Sequence, residues 1–102
     1  MAISQASIGN SVTTLYTSTG ESATTCIFFC NTHSSSITLS VYIVPSGQTP
    51  GAGNIIIDTI TIANGDTYMM NVEKIVLDNA DTIQAVASTT AVCTSTISYV
   101  SI

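Results

Sequence analysis

A chain of 102 residues fits one domain around a single core, with no room for a second functional module. The hydrophobic share of 45% is ordinary, but charged residues make up only 7%, and Lys74 is the sole basic residue against six acidic ones, for a formal net charge of −5. One lysine and no arginine cannot neutralise a run of phosphates, which excludes nucleic acid as a partner and speaks equally against an anionic membrane surface.

The polar surface is built instead from Ser and Thr, close to a third of the residues, often alternating with Ile, Val and Leu. Thr suits the exposed face of a pleated sheet, and the β-branched apolar residues between argue against disorder. So few charges leave little repulsion between copies, which suits close packing against another surface.

In chain order, residues 1–10 are small and polar, end on a Gly9-Asn10 turn signal, and read as a flexible or partner-docked arm, with Met1, Ala2, Ile3 and Ser4 as candidate contacts. The start of the chain has no basic region and no apolar stretch of signal-peptide length. Nothing approaches the run of about 18 apolar residues needed to span a bilayer. The expectation is synthesis and folding in a cytoplasm, with no membrane partner. Ser11 to Thr17 is the first strand candidate. After a turn at 18–21, Ala23 to Thr32 carries the apolar run Cys26-Ile27-Phe28-Phe29-Cys30 and is expected as a central strand packed on both faces.

Beyond a polar turn at 31–36, Ile37, Leu39, Val41 and Ile43 alternate with Thr38, Ser40, Tyr42 and Val44, the clearest period of two in the chain. Residues 45–54 then break regular structure with two prolines and three glycines. This longest loop reads either as a flexible connection or as a contact loop that orders on meeting a partner, with Pro45, Ser46, Gly47, Gln48, Thr49, Pro50, Gly51, Ala52 and Gly53 as candidate contacts. Ile55 to Ile62 returns to strand. The Asn64-Gly65 pair, favoured in tight hairpins, predicts that Thr67 to Val72 pairs back on it. Glu73 to Leu77 leads into a turn at 78–81, and strands at Thr82 to Ser88 and Val92 to Ile102 close the chain. No stretch shows helical periodicity over three turns, and no internal repeat occurs. The pattern predicts an arm over 1–10 and a single all-β domain over 11–102. Its fold is an antiparallel β-sandwich of seven or eight short strands, jelly-roll or Ig-like, with a small barrel as the alternative.

Residues that bear chemistry are few. Cys26 and Cys30 on one strand share a face roughly 13 Å apart, too far to bridge each other. A bridge from Cys93 to either is geometrically open, free thiols are the expectation, and the spacing is not a zinc signature. His33 stands beside Ser34, Ser35 and Ser36, but one turn does not provide the separate elements a nucleophilic triad needs. Asp66, Asp78 and Asp81 read as turn formers, with calcium ligation as the lesser alternative. Gly47, Gly51 and Gly53 have no lysine and no helix after them, so they are no phosphate loop. Tyr16, Tyr42, Tyr68 and Tyr99, with the 45–54 loop, are the residues a glycan- or receptor-binding module would use. No catalytic residue, no cofactor and no metal is expected.

The stretch Cys30-Asn31-Thr32-His33-Ser34-Ser35-Ser36-Ile37-Thr38-Leu39-Ser40-Val41-Tyr42-Ile43-Val44-Pro45-Ser46-Gly47 resembles small β-sandwich virion proteins of tailed bacteriophages, as do Ile62-Ala63-Asn64-Gly65-Asp66-Thr67-Tyr68 and the segment from Leu77 to Ala85. The resemblance covers roughly residues 23–100, and its motifs are structural ones that transfer no functional residues. It implies a virion structural protein assembled in the host cytoplasm, foremost a capsid decoration or cement protein, alternatively a neck or tail component. The implied partners are other virion proteins (major capsid, neck or tail protein) and further copies of the chain in a homo-oligomer.

Overall fold

The computed structural model describes residues 2–70, 75–89 and 92–101, and nine strands lie among them. They are β1 (Ala2–Ile8), β2 (Thr13–Thr17), β3 (Ser22–Asn31), β4 (Ile37–Val44), β5 (Ile55–Ile62), β6 (Thr67–Met70), β7 (Val76–Leu77), β8 (Thr82–Ala87) and β9 (Cys93–Ser101). One sheet runs β1-β9-β3-β6, with β7 also on β3, and the other runs β2-β8-β4-β5; all pairings are antiparallel. The chain crosses repeatedly between the two open sheets, and with the two-residue β7 set aside this order is that of a jelly roll rather than an Ig-like sandwich or a closed barrel.

Period-two alternation sorts each strand into an inner and an outer set. β8 reads half-buried, buried, three times over, so that Ile83, Ala85 and Ala87 face inward. Ile27 and Phe29 from β3, Ile97 and Cys93 from β9, and Ile37, Leu39 and Val41 from β4 meet them in one core, closed by Ile8, Leu15, Ile62 and Leu77.

The structure departs from the sequence expectations in three places. Residues 2–8 are no arm: β1 pairs with β9 in unbroken register from Ala2↔Tyr99 to Ile8↔Cys93, and Ile8 is wholly buried. The backbone ladder holds a segment whose small side chains carry little strand signal of their own. Second, β5 and β6 form no hairpin. The turn at 63–66 does use Gly65 at positive φ, but it is a corner between sheets: β5 goes to β4 and β6 to β3. Asn31 takes the place of a hairpin partner, its N–H donating to the Asp66 carbonyl (2.9 Å) and its carbonyl accepting from Gly65 N–H (3.0 Å). Val72 lies outside the described residues. Third, β3 is covered on one face only.

Candidate interaction surface

The outer face of the β1-β9-β3-β6 sheet is laid out by the strand registers in four rows: Val100-Ala23-Val76, Ile3-Ser98-Cys26, Gln5-Thr96-Phe28-Met69 and Ser7-Thr94-Cys30-Thr67. No charged side chain stands in them. Ile3 is 67% exposed, Met69 53% and Val76 66%, with Phe28, Val100, Cys26 and Cys30 half-buried between them. The apolar run 26–30 was expected to be covered on both sides; Ile27 and Phe29 are, while Cys26, Phe28 and Cys30 face away from the core. A bulge at Thr25, whose hydroxyl donates to the Ser98 carbonyl (3.1 Å), shifts the register so that Cys26, Phe28 and Cys30 share that side. The outer face of the other sheet differs in kind. Its rows Thr14-Gln84-Tyr42-Ile55, Val86-Ser40 and Thr38-Thr61 carry mostly hydroxyl and amide groups, and its exposed apolar residue is Ile56 at the β5 edge, beside the charged Asp58.

The contact residues named from the sequence converge on one end of the sandwich. Ala2 pairs with Tyr99, whose ring lies 4.5 Å from that of Tyr16, and Thr17 and Val44 both pair with Thr82. Thus Ala2, Ile3 and Ser4 begin β1 at the end where Pro45 to Gly53 leave β4; Met1 is outside the described residues. The loop has its own internal order. Asn54 accepts from Gly51 N–H at 2.9 Å and donates to the Thr49 carbonyl at 2.9 Å, and Gln48 N–H donates to the Pro45 carbonyl. It is an exposed loop folded on Asn54.

Neighbouring turns are tied to it. The Asp81 carboxylate accepts from Ser46 N–H (2.8 Å) and from Asp78 N–H (3.0 Å), and Asn79 Oδ1 accepts from Gly20 N–H (2.9 Å). Asp66 likewise accepts from Thr67 N–H. These carboxylates serve as turn formers, and no group of three or more His, Cys, Asp and Glu able to hold a metal ion gathers among the described residues. His33 closes the β3–β4 turn, its backbone N–H donating to Asn31 Oδ1 at 2.8 Å. The four tyrosines form no shared face: Tyr16 and Tyr99 stack between the sheets, Tyr42 is on the hydroxyl-rich face, and Tyr68 sits on β6 of the opposite sheet.

The three cysteines are free thiols. Cys93 is buried opposite Asn31 and Ile8, on the side of its sheet opposite to Cys30. Burial, with the neighbouring Cys30 adding, pushes its thiol from the ordinary 9.0 up to about 11. The folded protein therefore holds this proton to higher pH than the unfolded chain does. The associated stability is full below pH 9.0 and is lost as pH rises through about 11. Urea midpoints should fall across that window more steeply in the native protein than in Cys93→Ala; parallel curves would contradict the assignment.

No protein-family model matches the sequence, and no curated protein matches it. A solved structure from Bacillus, described as endospore appendages that form a novel family of disulfide-linked pili, is similar over 98% of this chain and 85% of its own, with a TM-score of 0.48 and 14% identity. At that level the likeness says nothing about what this chain binds or builds.

Proposed function

We propose that this chain is a structural virion protein of a tailed bacteriophage, assembled in the host cytoplasm and packed in many copies against other virion proteins, foremost as a decoration or cement subunit on the major capsid protein. One observation carries the reading: a strand apolar on both sides is covered on one, and the uncovered side belongs to a sheet face without a charge. An exposed apolar patch of this kind marks an interaction surface. Scarce charge favours a crowded lattice of identical copies, and the resemblance of residues 30–47 and 62–68 supplies the phage setting. The work done is adhesion between surfaces; the hydroxyl groups cover a sheet and hold turns.

Quantitative mass spectrometry of purified particles tests this reading. A decoration subunit is expected in a copy number comparable to that of the major capsid protein. A copy number of a single ring would assign the same surface to the neck or tail, and absence from the particle would overturn the reading.

A further inference from the structure

Each edge of a sandwich presents unpaired backbone N–H and C=O groups to any extended chain unless something blunts it. Three of the four edges here are blunted. β5 carries two register shifts, the charged Asp58, and Thr59 at φ 57, a left-handed conformation costly for a β-branched residue. β2 is bulged at Leu15, whose carbonyl is taken by the Ser4 hydroxyl (3.2 Å). The far edge of the other sheet is divided between the four-residue β6 and the two-residue β7. β1 has none of these devices: seven residues in unbroken register with β9, no charge, no proline and no bulge, and no strand on its far side among the described residues.

We propose that β1 is a self-pairing edge, at which two copies of this chain join by antiparallel β1–β1 pairing centred on Gln5. The inference rests on the reading of the chain as a multi-copy structural subunit and names its first partner. Gln5 is the midpoint of Ala2–Ile8, so this register alone pairs all seven residues, setting Gln5 against Gln5 and Ile3 against Ser7 of the second copy. Exposed Ile3, Gln5 and Ser7 then lie on one face of a continuous sheet, and two uncharged faces merge into one platform of twice the width.

Charge sets the direction of the pairing. Glu21, Asp78 and Asp81 crowd the turns at the end where β1 begins, whereas the end at Ile8 holds Asp66 as its acidic residue among those described. Antiparallel pairing sets the acidic end of each copy beside the other end of its partner; parallel pairing would set the two acidic ends together. The strand itself brings no charge to the contact.

The test uses two triple variants at exposed positions: Ile3→Lys/Gln5→Lys/Ser7→Lys and Ile3→Glu/Gln5→Glu/Ser7→Glu. In the proposed register each homodimer sets three like-charge pairs directly opposite one another, and its dissociation constant should rise about 100-fold over the native protein in sedimentation equilibrium. An equimolar mixture should recover a heterodimer through three Lys–Glu pairs, a recovery that no unfolded variant can give. Circular dichroism should show native strand content in both. A native protein that stays monomeric, a lysine variant that still dimerises, or a mixture that does not recover overturns the proposal. Should the particle hold many copies while the mixture stays monomeric, β1 pairing fails and the structural reading stands. Absence from the particle fails that reading whatever the mixture does.

Discussion

Replacing Asn31 with alanine is expected to lower the unfolding free energy by about 3 kcal/mol, since one buried and two partly buried hydrogen bonds are lost at once. Asn31 ends β3 with no exposed surface. Its side-chain amide donates to the Ile62 carbonyl at 2.9 Å and to the Ser35 carbonyl at 3.0 Å, while its Oδ1 accepts from His33 N–H at 2.8 Å. Ile62 ends β5 in the opposite sheet, so this one side chain ties the two sheets together and fixes the β3–β4 turn. Alanine leaves two carbonyls and an N–H without their partner, and leucine would leave the same three groups unpaired. Asn31→Asp would keep the acceptor for His33 but turn a carboxylate oxygen toward two carbonyls, so it is expected to be at least as damaging. Urea unfolding measures the effect; a loss below about 1 kcal/mol would mean that water replaces the amide at little cost.

The second large effect is Phe29→Ala, with an expected loss of about 3–5 kcal/mol from the vacated core volume. Phe29 is the largest wholly buried side chain, packed between sheets with Ile27, Leu39 and Ile97 in the same core. Its neighbour Phe28 provides the contrast. Phe28→Ala, half-buried on the outer face, is expected to cost the monomer no more than about 1 kcal/mol, because only part of its ring is removed from water. The two substitutions delete the same atoms one residue apart, so the gap between them measures how far β3 is covered on one face only. Equal losses would mean that the outer face is as well packed as the core.

Much of this architecture is legible in the sequence where local pattern and tertiary role agree. β4 keeps its period of two from Ile37 through Val41, and β5 occupies Ile55–Ile62 as its β-branched residues predict. β1 was hidden because Ala2, Ser4 and Ala6 are too small to announce a buried side. Its order comes from the ladder to β9, at the far end of the sequence, from Ala2↔Tyr99 to Ile8↔Cys93. The Asn64-Gly65 signal gave a turn correctly and its setting wrongly, because the same turn chemistry serves a hairpin and a corner between sheets, and the deciding contacts come from Asn31. The candidate surface was half legible. Apolar residues at both parities of 26–30 marked β3 as unusual, but composition cannot say that the second side lacks a cover. That depends on the crossing of the chain from β3 to β4 and from β5 to β6, which leaves nothing above Phe28 among the described residues. The contacts expected from the sequence lie on the 45–53 loop and on residues 1–4; of those described, Ile3 belongs to the apolar sheet face.

The central claim is that this sheet face meets a neighbour. A cryo-electron microscopy map of the intact particle, detailed enough to orient the sandwich, tests it most directly. Ordered copies are expected with the β1-β9-β3-β6 sheet against neighbouring protein and Phe28 and Met69 covered. Copies seated on the hydroxyl-rich β2-β8-β4-β5 sheet, with Ile3, Met69 and Val76 left to solvent, would contradict it.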